Sequence, residues 1–339
     1  FLTTGQLIEE YYQPVRTIGA RILAYPYGLQ PYSDNVNYED ESVRGVPFDE
    51  KAYASLYYIA ARGGTGSGIN MPTRNVNSNQ FATDYMALGG FSIHTWNATT
   101  YGTSDIAIEG VIKSLYDENY TYNGTANIGG WAILLVHSLA EAPSSNNPSY
   151  PGQQATNIMI FDDTFGYLQE AGDELWTDDF LDIAKYGQER DSAVLNVVTA
   201  DDNEIVYDLT DSMSDEEFDY PLTIMVNIPE DWTGVTAVQN DEELTTSMKD
   251  GYLFVETVPD KGSVRISYDG SEVVLPENPV SADVVKAWPE GKLKAFTASF
   301  DDGYLNYENE QWLVDVFNAN GIKGTFNMPS GLFNDYNTD

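Results

Sequence analysis

Leu293-Lys-Ala-Phe-Thr-Ala-Ser-Phe-Asp-Asp-Gly303 is the stretch that decides how this chain is read. A strand-length run of apolar and small residues drives straight into two adjacent carboxylates and a glycine. Such a run suits a strand buried on both faces, because parallel sheets are covered by helices above and below. In α/β folds the carboxyl ends of parallel strands hold the reactive groups, so Asp301 and Asp302 become the first candidates. Adjacent carboxylates suit a division of labour, one as general base and one as metal ligand. The competing reading is an Asp-Asp-Gly turn that caps the next helix.

Working outward, Trp312, Leu313, Val316 and Phe317 recur at helical spacing over Asn306–Asn320, and Gly321 stands where a left-handed residue closes a helix. Ile322–Met328 reads as a second strand. Two parallel strands and one helix cannot bury a core of their own, so this βαβ unit needs partners from elsewhere. Upstream, strand-like runs separated by Lys249-Asp-Gly251 and Tyr268-Asp-Gly270 indicate an all-β sandwich over 192–276, followed by a Pro-containing linker over 277–289. Residues 1–190 alternate short apolar strands, Ile22–Tyr25 and Ala132–Val136 among them, with helical patterns over 49–62, from Ser104 to Leu115, and over 173–190. That alternation predicts a parallel sheet or barrel. Phe161-Asp-Asp-Thr164 reads as a loop with capping carboxylates.

The chain carries 16 basic and 53 acidic residues, a formal net charge of −37. A surface of this sign repels phosphate backbones and anionic membranes, which excludes nucleic-acid binding and membrane docking as functions. It fits a solubility adaptation, or life in high salt where self-repulsion is screened. There are no cysteines, so disulfides, thiolate metal ligands and cysteine nucleophiles are excluded. No apolar run approaches the roughly 20 residues of a membrane helix.

Phe296-Thr-Ala-Ser-Phe-Asp-Asp-Gly303, followed by Gly321-Ile-Lys-Gly-Thr-Phe-Asn-Met-Pro-Ser-Gly331, resembles the opening of polysaccharide deacetylases, the NodB-homology group of carbohydrate esterase family 4. The resemblance implies an α/β fold, a distorted (β/α) barrel that is incomplete here, beside the β-sandwich. It also implies metal-dependent removal of acetyl groups from a polysaccharide. By position, Asp301 would be the general base and Asp302 a ligand of a divalent metal, Zn first, with Co, Ni or Mn as alternatives. Arg21-Ile-Leu-Ala-Tyr-Pro-Tyr-Gly28 resembles the family's third motif. There the Tyr27 amide would hold the oxyanion, with Arg21 and Pro26 lining the substrate site. A second arginine, which in that motif steadies the base, is replaced by Ala24. Trp131-Ala-Ile-Leu-Leu-Val-His137 resembles the fifth motif, with His137 as general acid. Trp96 is a candidate to stack on a sugar, or else a core aromatic.

The His-x-x-x-His pair that completes the family's metal site is absent, since His94 and His137 are the two histidines of the chain. The expectation is therefore a window on a tandem enzyme. Residues 1–190 end one barrel, 192–276 form the sandwich, 277–289 link, and 290–339 begin a second barrel. A circular permutant, with 290–339 packed against 1–190, is the structural rival. On either reading the protein acts on a polysaccharide outside the cell or in its envelope, and this chain alone is inactive. The functional rival is a non-catalytic carbohydrate-binding protein on a degenerate deacetylase fold. Oligomeric state is left open.

Overall fold

The computed structural model describes residues 21–24, 50–63, 69–70, 74–75, 80–81, 84–92, 109–115, 117, 119–120, 129–136, 138–140, 155–201, 204–228, 234–249, 251–268, 284–285, 288–301 and 307–327. The strands used below are β1 (Ile22–Ala24), β2 (Ala60–Arg62), β3 (Ile69–Asn70), β4 (Phe91–Ser92), β5 (Trp131–Val136) and β6 (Leu175–Thr177). Then come β7 (Val194–Ala200), β8 (Glu204–Thr210), β9 (Leu222–Asn227), β10 (Val235–Gln239), β11 (Glu242–Glu243), β12 (Thr246–Lys249), β13 (Tyr252–Thr257), β14 (Val264–Tyr268) and β15 (Val284–Val285). The last two are β16 (Lys294–Phe300) and β17 (Gly324–Phe326). Four helices matter: α1 (Glu50–Ala54), α2 (Ile158–Ala171), α3 (Phe180–Ser192) and α4 (Tyr307–Asn320).

The chain divides into two compact units, one within 1–75, 82–184 and 295–339, the other within 76–81 and 185–294. In the first, β16 and β5 pair in parallel along their whole length, from Ala295 opposite Trp131 to Phe300 opposite Val136. Both strands are buried at every position, as their apolar sequences require. β17 adds in parallel to the far half of β16, with Phe300 opposite Phe326. One face of this sheet packs Phe296, Ala298 and Phe300 against Phe165 and Leu168 of α2 and Leu313 and Phe317 of α4. Each buried Phe or Leu side chain in this set contributes about 1.5–3 kcal/mol. On the other face Trp131 meets Phe180 of α3 with ring centroids 5.2 Å apart. Gly321, at φ 65°, closes α4, and the Ile322 N–H reaches back to the Phe317 carbonyl at 2.9 Å.

The expected distorted (β/α) barrel is corrected here. The chain is β-rich, and its described strands form several separate sheets without closing into a ring. β3 runs antiparallel to β5, which breaks the parallel ladder a barrel needs. Helices α2 and α4 cover one and the same sheet face. Three local readings change as well. Phe161-Asp-Asp-Thr164 lies inside α2, the helix read over 49–62 ends at Ala54 and gives way to β2, and the helix read over 173–190 is a 3₁₀ turn, the strand β6 and then α3.

The second unit holds two antiparallel sheets, β7-β8-β14-β10-β11 and β12-β13-β9-β15. Gln239 ties them together. Its amide donates to the carbonyls of Val258 at 2.8 Å and Gly262 at 2.9 Å, and its oxygen accepts from the Thr257 hydroxyl at 3.1 Å. At 6% exposure this amide needs every one of those partners. Among the described residues no helix is long and apolar enough to cross a membrane.

Candidate functional site

Beyond Phe300 the ladder continues for one residue: the Asp301 N–H donates to the Val136 carbonyl at 2.7 Å. This fixes the Asp301 side chain at the carboxyl end of two parallel strands. Alternation along β16 sends Phe300 to the helix-covered face and Ser299 and Asp301 to the other. There Arg62, the last residue of β2, points its guanidinium at both. Its Nε donates to Ser299 Oγ at 2.8 Å, and its Nη2 makes an ion pair with Asp301 Oδ1. Asn327, the residue after β17, completes the group. Its amide nitrogen lies 2.8 Å from Ser299 Oγ and 3.1 Å from Asp301 Oδ1. Its own N–H anchors it to the Phe300 carbonyl at 2.7 Å.

The side chain of Arg62 is 1% exposed and that of Asp301 17%, so the cation is inside and the carboxylate looks out. Arrangements of this kind give a positioned acceptor: one oxygen is held by two donors, and the other is left for a ligand. The site lies where open α/β sheets place their ligands, at the carboxyl ends of the strands.

Of the residues singled out in the sequence, Asp301 is in this cluster. Arg21 is not; it heads β1, half-buried, with its carbonyl accepting from the Ile59 N–H at 2.8 Å. Pro26, Tyr27, Trp96, His137 and Asp302 lie outside the described residues, as does His94. Arg62 and Asn327 were missed. β1 and β2 pair in parallel with Ala24 opposite Arg62, so the guanidinium comes from the strand beside the position where an arginine was sought. The available signal was an arginine closing the small-residue run Ala60-Ala-Arg62, since a cation ending a buried strand needs a partner.

The metal ligand Asp302 expected from the resemblance lies outside the described residues, and no ligand set can be built around it from them. The described carboxylates that do cluster are Asp178, Asp179 and Asp182, whose oxygens lie within 4.8 Å of one another. Lys323 sits on this trio, 2.5 Å from Asp178 and 3.1 Å from Asp182. The Asp179 carboxylate caps α3 through the Asp182 N–H at 3.0 Å. The trio is thus a helix cap whose negative charge Lys323 partly offsets.

No family model matches the sequence, and no solved structure matches it. A gellan lyase from a Bacillus species is 34% identical over 296 residues, which is 86% of this chain. The chain spans 11% of the length of that relative. This overturns the expectation of a metal-dependent polysaccharide deacetylase: the relative carries the name of a lyase, a different enzyme class from a hydrolase of acetyl groups. A carboxylate at a strand end, here Asp301, marks where chemistry can sit, and many reactions share that placement.

Proposed function

We propose that this chain is part of an extracellular polysaccharide-degrading lyase, and that the Asp301–Arg62–Asn327 cluster is where it meets the polymer. The observation that carries this reading is the 34% identity to a gellan lyase along 86% of the chain.

A lyase cleaves by elimination. A base removes a proton from the carbon next to a carboxylate, the C–H electron pair becomes a double bond to the neighbouring carbon, and the glycosidic oxygen leaves with its bond pair and takes up a proton from the protonated base or from water. Asp301 supplies the base, because it is the partly exposed carboxylate of the cluster. Arg62 and Asn327 are positioning residues: their donors hold one Asp301 oxygen and so aim the other.

The test is direct. The chain is incubated with gellan, and the new carbon–carbon double bond is followed by ultraviolet absorbance and by reducing ends. The expected result is a rise in both that Asp301→Asn abolishes while gellan still binds. A chain that neither binds gellan nor generates the chromophore overturns the reading.

A further inference from the structure

We propose a second sugar-binding subsite on the first unit, in the groove between α2 and α4, that takes a neutral pyranose unit of the polymer; it rests on the polysaccharide reading above.

A cavity of about 410 Å³ opens there, lined by Asp163, Gly166, Tyr167, Gln169, Glu170 and Asn320. It is remote from Asp301. α4 runs back against β16, and Asn320 ends it just before the chain turns into β17, so the groove sits toward the amino ends of the strands whose carboxyl ends carry Asp301.

Asp163, Gly166, Tyr167 and Glu170 follow the spacing of one helical stripe. Gly166 interrupts that stripe. A Cβ added there would meet nothing within 4 Å, so packing does not demand the glycine. A glycine inside a helix weakens it relative to alanine. What it leaves is a notch in the helix face, floored by the buried Phe165, which packs edge-on against Phe317 at 5.6 Å.

The walls are pre-set. Gln169 Nε2 donates to Asn320 Oδ1 at 2.7 Å, and Asn320 Nδ2 donates to the Val316 carbonyl at 2.8 Å, which aligns both amides. Lys113 packs over the Tyr167 ring, 5.5 Å from its centroid, and lies 3.6 Å from Glu170 Oε2. A 2.7 Å hydrogen bond to Glu109 holds that lysine in place and raises its pKa.

This combination selects a ligand class. The groove presents an aromatic ring, two oriented amides and two carboxylates, one of them offset by Lys113, and it includes Asn320 at the carboxyl end of α4, where the helix carries partial negative charge. Acceptors dominate, so hydroxyl donors are favoured and an anion is rejected. A neutral sugar ring, apolar on its faces and ringed by hydroxyls, meets every requirement; a uronate does not.

The experiment titrates the full chain with cellotetraose as the neutral probe and with a tetrasaccharide carrying a glucuronate, by calorimetry and by backbone-amide chemical shifts. Cellotetraose is expected to shift the amides of Gly166, Gln169 and Asn320 and to bind at least tenfold more tightly than the uronate-bearing probe. Gly166→Leu, which fills the notch with a good helix former, is expected to weaken cellotetraose at least tenfold without lowering Tm. Wild-type affinity in a folded Gly166→Leu variant, equal affinity for the two probes, or no binding of cellotetraose overturns the subsite. Double-bond formation from gellan is read separately, so loss of the subsite and loss of the lyase reading are distinct results.

Discussion

Arg62 and Asp301, 239 positions apart in the chain, form an ion pair in which the cation is sealed inside and the anion faces out. This asymmetry sets what each partner's loss costs. Taking Asp301 away leaves a guanidinium in a dry site with Ser299 but without its counter-charge, whereas taking Arg62 away leaves a carboxylate that still has Asn327 and can reach water.

Asp301→Ala should therefore lower stability by about 3 kcal/mol, and Arg62→Met should cost clearly less. Urea unfolding of both variants measures this. Equal losses, or a larger loss for Arg62→Met, would show that the guanidinium is not the buried member of the pair.

Some of this was legible locally. The run that becomes β16 and the Gly321 cap of α4 are set by neighbours in sequence, and burial pattern and left-handed backbone geometry betray them. β6 was not legible. Trp176, Phe180 and Ile183 fit a helical period, yet Asp178 and Asp179 reset the chain by capping α3 from within that window. The acids of Phe161–Thr164 look like a loop, but Phe165 and Leu168 pull the segment into a helix through tertiary burial. Arg62 was hidden for a different reason: nothing near it in sequence names a partner that lies beyond an entire second unit. The reaction class was misread because a short acidic motif at a strand end specifies position, not chemistry.

Glu189 gives a pH dependence of defined sign. Its carboxylate is fully buried and accepts the Tyr220 N–H on both oxygens, at 3.0 and 2.9 Å. Burial raises its pKa from the ordinary 4.5 to about 8; Asp211 and Asp219 push the same way, while the Tyr220 hydrogen bond and Lys185 oppose. The folded protein thus holds this proton where the unfolded chain has released it. The stabilising contribution is complete below about pH 4.5 and is lost as pH climbs through about 8. Its slope in that window approaches about 1.4 kcal/mol per pH unit. Glu189→Gln keeps an acceptor for Tyr220 and removes the proton. The difference in stability between wild type and variant should vary across pH 5–9 with this sign, and a constant difference refutes the assignment.

Net charge sets the response to salt. With 53 acidic against 16 basic residues, repulsion across the surface opposes compaction. The Debye length falls to about 3 Å near 1 M salt, so Tm should rise by several degrees between low salt and molar KCl. Binding of a uronate-rich polymer should strengthen over the lower part of that range, whereas a neutral polymer should respond little. A Tm that is flat or falls with KCl would show that favourable ion pairs outweigh the repulsion.

Among the described glycines, Gly291 is the one least tolerant of a side chain. It follows Glu290, and both have positive φ, 54° and 70°. The turn they form is pinned to the second unit by the Glu290 N–H, which donates to Thr223 Oγ1 at 2.7 Å and to Glu256 Oε1 at 3.0 Å. Trp288, just before it, is buried against Tyr186 and under the Arg190 guanidinium. A Cβ on Gly291 would press into the Phe254 ring, with Cδ1 at 2.8 Å and Cζ at 3.0 Å. Two costs add: about 1–2 kcal/mol for an L residue in the left-handed region and about 1–3 kcal/mol for overpacking. Gly172 shares the first cost alone, since its φ is 55° and nothing lies within 4 Å of an added Cβ. Gly291→Ala should therefore destabilise by about 2–5 kcal/mol, against about 1–2 kcal/mol for Gly172→Ala. Adding Phe254→Leu to Gly291→Ala should recover part of the loss by vacating the ring, although Phe254→Leu alone removes buried surface. Denaturant melts of the four variants decide it: equal losses at the two glycines, or strictly additive losses at Gly291 and Phe254, would mean that the ring does not close over the turn.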